Sequence, residues 1–206
     1  APLGTNSVAY SAKIDWNMSD RDTLSGRYAY QNQDSQSPGL TFISSNLPTN
    51  GASSTNKPQF VSLNYTRVQS ASMVINNLAT FGRSLPNFTP LANITAPTVA
   101  FQNGLAEMGT WSGLPQGRTQ NVYNNLTTVT KTVNSHTFKF GYSIERIQAN
   151  SVFDSNVRGT LTFASFETFQ QGTPVIYSQR FGGSIRGNRV WNHGFFVQDD
   201  WRVSRH

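Results

Sequence analysis

The sequence predicts an all-β fold, an antiparallel up-and-down transmembrane β-barrel segment with long extracellular loops. Three observations support this fold class. Apolar and polar residues alternate along several stretches, as a strand with one apolar face requires. The clearest stretches reach the ~9–11 residues that a tilted strand needs to cross a bilayer, whereas strands of soluble proteins are usually ~5–6 residues long. The connections between these stretches are alternately short and long.

The first predicted hairpin lies near the start of the chain. Val8 to Met18 places apolar residues at even positions and polar residues at most odd positions. Ser19–Asp22 is a short polar turn, and Leu24 to Tyr30 alternates again. The two arms therefore predict a pair of antiparallel strands.

The second predicted hairpin has one clear arm and one ambiguous arm. Gln59 to Gln69 alternates, and Ser70–Ser72 is short enough for a tight turn. Met73 to Arg83 is predicted as the returning strand, although its sequence leaves open which face is apolar.

The third predicted hairpin, Thr119 to Ile147, carries the strongest signal. Its second arm places Phe138, Phe140, Tyr142 and Ile144 on one face, and the opposite face carries charged residues. An aromatic face opposite a charged one is typical of a barrel wall with lipid outside and water inside. The arms are joined at Thr132–Ser135.

The chain after Ile147 has a weaker pattern. Arg158–Phe163 predicts a short strand, Phe166–Phe169 a helical turn and Gly182–Gly187 a loop, and Gly194–Val203 alternates as a last strand. Residues 157–182 fit either an outer loop with a small hairpin or two further membrane strands. We favour the loop because Arg158–Phe163 is too short to cross a bilayer.

The order of the connections predicts the topology. Short turns at Ser19–Asp22, Ser70–Ser72 and Thr132–Ser135 alternate with three long connections. In an antiparallel sheet the connections of one parity share an end. We therefore expect about seven long strands, with short turns on the periplasmic side and long loops outside. The long connections are Gln33–Pro58, Ser84–Arg118 and Asn150–Asn192.

The composition excludes several classes of protein. Charged residues are only 13% of the 206 residues, against about 25% in soluble domains. The absence of cysteine removes disulfide frameworks and thiol chemistry. The net charge of +6 comes from scattered residues rather than a basic cluster, so we expect no nucleic-acid partner. The start, Ala1-Pro-Leu-Gly4, does not resemble a signal peptide, so we expect the chain to begin after processing or within a longer protein.

Catalytic and metal sites are not predicted. His136 and His206 have no evident partner in the sequence, and His193 precedes Asp199 and Asp200. Neighbouring strand positions point to opposite faces, so the two aspartates cannot share one acid–base site. No spacing of histidines and carboxylates indicates a metal. We therefore expect no enzyme activity, catalytic residue, metal or cofactor.

Trp111 is the one candidate ligand-binding residue. It lies in a long loop among Gly109, Gly113 and Gly117. An exposed indole there would stack on a ligand such as a sugar ring. Packing within the loop is the favoured alternative, because large apolar side chains bury where they can.

Several strand sequences resemble those of TonB-dependent outer-membrane receptors, in particular the Oar-like branch with a carboxypeptidase-regulatory-like domain. Gly194-Phe-Phe-Val-Gln-Asp-Asp-Trp-Arg-Val203 is similar to a recurrent strand of that family. Ser11–Trp16 with Ser19–Tyr28, and His136–Gly141, resemble its early and middle barrel hairpins, and Arg158–Phe163 resembles a segment between two such hairpins.

The resemblance implies a bacterial outer-membrane location and a role in importing a nutrient ligand. Residues 1–206 would be part of the barrel, without a plug domain. The implied partners are outer-membrane lipid, the remainder of the barrel and the plug, TonB through a missing N-terminal region, and an unknown ligand. The alternative is a non-transporting surface protein with a structural or adhesive role, using Ser84–Arg118 as its contact loop.

Overall fold

The computed structural model describes residues 4–37, 50–91 and 95–203, and almost all regular structure in them is β. Seven strands within these ranges have 12 or more residues, as predicted. The elements are β1 (Gly4–Asn17), β2 (Asp22–Ser37), β3 (Ala52–Asn56), β4 (Gln59–Ser70), β5 (Met73–Ser84), β6 (Asn87–Pro90), β7 (Thr98–Phe101), β8 (Gln116–Val133), β9 (His136–Phe153), β10 (Thr160–Phe163), α1 (Phe166–Gln170), β11 (Ile176–Ser178) and β12 (Ile185–Trp201).

The long strands form one antiparallel up-and-down sheet in the order β1-β2-β4-β5-β8-β9-β12. The short strand β3 continues the pairing of β2 beyond the end of β4, and β6 bridges β3 and β8. This arrangement confirms the predicted fold class.

The two ends of the sheet differ as the sequence predicted. Hairpin turns join β1 to β2, β4 to β5 and β8 to β9 at one end, which we call the turn end. The connections from β2 to β4, β5 to β8 and β9 to β12 lie at the opposite end, the loop end. The expected loop Gln33–Pro58 lies partly outside the described residues, since residues 38–49 are not described.

The long strands extend further toward the loop end than the alternation predicted. β2 continues to Ser37, β9 continues to Phe153, and β12 begins at Ile185. The prediction of a loop over Gly182–Gly187 is therefore wrong for its last three residues. Strand portions that project beyond a bilayer have water on both faces. They keep their backbone pairing without needing an apolar face, so periodicity does not reveal them.

Residues 157–182 form a loop-end subdomain and add no strand to the main sheet. β10 pairs parallel with β7 and antiparallel with β11 in a separate three-stranded sheet. The helix α1 follows β10 and is capped by Ser165, which accepts a bond from the Thr168 backbone N–H. The predicted loop, short strand and helical turn are confirmed. Within the described ranges no helix is long and apolar enough to cross a membrane.

The register separates two faces of the sheet, one of which carries most of the large apolar side chains. Residues directly opposite each other on paired strands share a face, so one continuous surface can be followed from β1 to β12. We call it the outer face, and it carries Ile14, Trp16, Leu24, Tyr28, Leu63, Phe81, Val129, Phe140, Ile144, Phe195 and Val197. The opposite, inner face carries Lys13, Arg27, Lys139, Glu145 and Asp200.

Tryptophans mark the limits of a band on the outer face of β12, which we call the apolar band although His193 and Asp199 also lie within it. Trp191 and Trp201 both lie on the outer face, ten residues apart. Ten residues at ~3.3 Å each, tilted by ~40°, span about 25 Å, the height of the lipid-facing band of outer-membrane barrels. Trp201 is reinforced at the turn end by a stacked His136 ring, with 5.4 Å between centroids.

Candidate functional site at the loop end

A groove of about 790 Å³ opens on the inner face at the loop end. Three arginines line it, Arg118, Arg180 and Arg186, and we call it the arginine groove. Phe88 and Phe153 contribute apolar surface to the same lining. The groove is therefore strongly cationic but not uniformly polar.

Sheet register sets the positions of two of the arginines. Arg118 on β8 and Arg186 on β12 are both direct partners of Ser151 on β9. Their Cα atoms are therefore about 10 Å apart, two strand spacings. Since arginine side chains are long and flexible, both guanidinium groups can reach one ligand placed over Ser151.

The third arginine comes from the connection between β11 and β12. The Arg180 backbone N–H donates to the Asn156 carbonyl at 3.0 Å. The neighbouring Gln179 amide donates to the Val157 carbonyl at 2.9 Å. These bonds tie the segment to the end of β9 and hold Arg180 beside the groove.

No carboxylate of the described residues forms an ion pair with the arginine groove. The salt bridges between described residues are Lys13–Asp15, Arg67–Asp22 and His136–Asp199, all remote from it. The nearby Asp154 accepts a hydrogen bond from the Ser184 hydroxyl. Unpaired guanidinium groups suit carboxylate or phosphate, which they bind through two parallel hydrogen bonds.

Trp111 packs within a small core beside the groove. Its partly buried indole lies against the buried cluster of Ala52 and Leu114. The ring also covers Gly113, where a Cβ atom would approach it to 2.5 Å. Trp111 therefore packs within its loop at the loop end, and its role as a ligand-binding residue stays a prediction.

The Arg158 side chain stabilises this core through two hydrogen bonds. Its guanidinium donates to the carbonyls of Leu114 at 2.8 Å and Trp111 at 2.9 Å. Burial lowers the pKa of Arg158, and the negative charge of Asp154 opposes that shift. Arg158 therefore organises the loop that carries Trp111.

A hydrogen bond links the connection between β2 and β4 to the connection between β5 and β8. The Asn50 amide donates to the Glu107 carbonyl at 2.8 Å. Burial raises the pKa of the Glu107 carboxyl above its ordinary range. The buried Thr98 hydroxyl donates to the Thr110 carbonyl at 2.6 Å. The loop end is thus a packed structure rather than a set of independent loops.

The histidines do not assemble a catalytic site in the described structure. His136 contacts Asp199 at 2.8 Å, a partner that the sequence did not reveal, and His193 contacts the Tyr142 hydroxyl at 2.8 Å. Both pairs lie on the outer face, whereas Asp200 lies on the inner face. Residues 4–37, 50–91 and 95–203 contain no group of three histidines or carboxylates arranged to hold a metal. His206 lies outside the described residues.

The sequence analysis missed the arginine groove. Arg118 stood at the border of a predicted loop, and Arg180 and Arg186 lay inside another. Their convergence depends on β8, β9 and β12 being adjacent over their full length. The sequence did contain one signal. Arg118 and Arg186 both fall at even-numbered positions, as do the other inner-face residues of β8 and β12.

Comparisons with known proteins agree with this architecture. The family model described as outer membrane beta barrel domain matches residues 1–206. The structure is similar to that of the outer membrane transporter YddB from Escherichia coli, with a TM-score of 0.55 and 12% sequence identity. The match covers 96% of this chain and 26% of that one, so this chain spans about a quarter of its length. No curated protein sequence matches the chain.

Proposed function

The chain belongs to the outer membrane beta-barrel domain family and is a segment of a transmembrane barrel located in the outer membrane. We propose that this barrel is part of a TonB-dependent transporter that imports a nutrient ligand. In this proposal residues 1–206 are one part of the barrel. The remainder of the barrel and a plug domain come from elsewhere in the full-length protein. The long loops face the outside and the hairpin turns face the periplasm, as outer-membrane barrels are built.

The observation that carries the proposal is the arginine groove at the barrel mouth. A ligand arriving from outside meets the loop end first. There it finds Arg118, Arg180 and Arg186 on the inner face, with no ion-pair partner among the described residues. A cationic cleft raises the local concentration of anions and speeds their capture. We therefore propose that the imported ligand carries a carboxylate or phosphate group.

Trp111 takes a secondary role in this proposal. Its indole is partly buried against Leu114, which fixes the ring at the mouth rather than leaving it mobile. A ring held in this way is available to stack on an apolar or sugar portion of the ligand at low entropic cost.

TonB dependence rests on the strand resemblance. The sequence Gly194–Val203, which resembles a recurrent strand of TonB-dependent receptors, forms most of the turn-end half of β12. The likeness to the E. coli transporter supports the fold of the barrel and adds nothing about energy coupling. A plug and a TonB-contacting segment in the full-length protein would support coupling, and their absence would favour a non-transporting surface protein.

The test follows solutes that cells remove from a defined medium. Cells carrying the full-length protein are compared with cells carrying Arg118→Gln, Arg180→Gln and Arg186→Gln together, using mass spectrometry of the medium. We expect at least one anionic solute to be depleted by the first cells and about tenfold more slowly by the second. Arg21→Gln, at the turn end, is the control and should deplete that solute normally.

Three results would contradict parts of the proposal separately. Identical depletion with and without the full-length protein would exclude transport and favour the structural or adhesive role. Depletion that persists after a protonophore collapses the inner-membrane gradient would exclude TonB coupling. Selective depletion of a neutral solute, unaffected by the arginine substitutions, would exclude the groove as the ligand site.

A further inference from the structure

A second group of arginines lies on the outer face, where a barrel meets lipid. Arg83 on β5 and Arg189 on β12 occupy one row of the sheet, separated by Asn121 and Gln148. Arg146 lies on the same face of β9, two residues nearer the turn end than Gln148, and is the direct partner of Trp191 on β12. We call Arg83, Arg146 and Arg189 the outer arginine patch. Charged residues facing lipid are costly, so their position along the membrane normal matters.

The patch lies at the outer limit of the apolar band. Trp191 marks that limit on β12, Arg146 pairs with it directly, and Arg189 is two residues beyond it. The Arg146 guanidinium lies 5.1 Å from the centre of the Trp191 ring, within cation–π distance. The three arginines are therefore at the level of lipid headgroups.

Carboxylates are absent from this part of the outer face. On β5, β8, β9 and β12, no outer-face position from the middle of the strand to the loop end carries aspartate or glutamate. Arg189 is oriented by neutral groups, the Asn150 amide oxygen at 2.9 Å and the Asn188 carbonyl at 2.7 Å. The positive charge of the patch is consequently not balanced by a carboxylate on the neighbouring parts of these four strands.

The surface beside the arginines is concave and mostly apolar. A groove of about 430 Å³ lies here, lined by Tyr123, Ile144, Arg146, Gln148 and Trp191 among others.

We propose that the outer arginine patch binds a phosphorylated glycolipid of the outer leaflet. Arg146 and Arg189 lie about 8 Å apart by strand geometry, close enough to hold one phosphate together, and Arg83 lies about 14 Å from Arg189, where it reaches a second phosphate. Trp191 and Tyr123 face the sugar and upper acyl region. The position of the patch at the headgroup level selects a lipid over a soluble anion.

The experiment measures lipid binding by native mass spectrometry of the delipidated full-length protein in detergent. The probes are diphosphoryl lipid A, the same glycolipid without its phosphates, and inorganic phosphate. We expect tight binding of diphosphoryl lipid A and at least about tenfold weaker binding of the dephosphorylated form. Arg83→Gln, Arg146→Gln and Arg189→Gln together should weaken diphosphoryl lipid A binding at least about tenfold, because each removes a charged hydrogen bond.

A matched control removes three positive charges from the inner face. Lys13→Gln, Arg27→Gln and Lys139→Gln together should leave lipid binding unchanged. Equal loss in both triple variants would overturn the proposal, since net charge alone would then explain binding. Retention of wild-type affinity in the outer triple variant would also overturn it, as would displacement of the lipid by millimolar inorganic phosphate.

Folding of the variants is checked by heat-modifiable migration in gel electrophoresis. If the outer triple variant does not fold, Arg146→Gln and Arg189→Gln are measured singly, each with an expected loss of several-fold. Arg146→Lys and Arg189→Lys should keep part of the affinity, because lysine retains the charge but not the bidentate geometry. Partial affinity in both lysine variants, with folding intact, supports the bidentate contact, whereas wild-type affinity in both glutamine variants refutes the site.

Discussion

Gly141 and Phe196 provide a test of the register between β9 and β12. The two residues are direct partners on the inner face. The Phe196 ring covers the glycine so closely that a Cβ atom at position 141 would lie 2.0 Å from its nearest ring carbon. No side chain fits beneath the ring in its present position. The substitution Gly141→Ala therefore forces Phe196 off its partner.

The magnitude follows from two opposing effects. Displacing the ring loses a cross-strand contact and strains a rotamer, which together cost about 1–2 kcal/mol. Replacing a strand glycine with alanine stabilises the folded protein by about 0.5–1 kcal/mol, because alanine leaves the unfolded chain fewer conformations. Gly141→Ala should therefore destabilise the wild type by about 0.5–1 kcal/mol. In a Phe196→Ala background the ring is absent, and the same substitution should stabilise by about 0.5–1 kcal/mol.

The assay is a double-mutant cycle on the full-length protein. Equilibrium unfolding by guanidinium chloride in lipid vesicles gives the free energy of unfolding of the four variants. A coupling of about 1–2 kcal/mol and a change of sign are expected. If Gly141→Ala has the same effect with and without the Phe196 ring, the two residues are not partners and the β9–β12 register is wrong.

Three further predictions concern other parts of the chain. The amides of Asn77 and Asn125 bond each other at 3.2 Å within the outer-face band, so Asn77→Leu alone should destabilise by about 1 kcal/mol, while Leu at both positions should be neutral or stabilising, measured by the same unfolding assay. Because burial raises the pKa of Glu107, its ionised form opposes folding of the loop end. Protection of the loop end from protease should thus fall as pH rises through that raised pKa, and Glu107→Gln should flatten the profile. Tyr65 donates to Asp22 at 2.6 Å near the first turn, so Tyr65→Phe should cost about 1 kcal/mol in unfolding free energy, and no loss would show that the bond is not formed.

The sequence predicted strand number and connection order because both depend on local signals. Alternation over Val8 to Met18 or His136 to Ile147 reflects a face that lipid must contact, and turns interrupt it visibly. The face of Met73–Arg83 stayed open because the outer-face residues include Asn77 and Arg83 as well as Ile75 and Phe81. Register with β4 and β8 resolves it, and register is not a local property.

The loop end could be predicted only in part for a related reason. The short strand at Arg158–Phe163 was recognised from its own composition, but its partner β7 lies some 60 residues earlier and pairs with it in parallel. Long-range pairing of short strands leaves little trace in sequence periodicity. The arginine groove shares this origin, since Arg118 and Arg186 meet only because both flank Ser151 on β9.

The register of β12 determines on which face of the sheet each of its arginines lies. Arg186 lies on the inner face in the arginine groove, and Arg189, three residues later, lies on the outer face beside Trp191. A slip of one residue would reverse every side chain of the strand, placing Arg186 toward lipid and Arg189 toward water. Three contacts with β9 oppose such a slip, at the Gly141–Phe196, Arg146–Trp191 and His136–Trp201 pairs. A one-residue shift would break all three pairs at once, so the proposed ligand capture inside and the proposed lipid binding outside would be lost together.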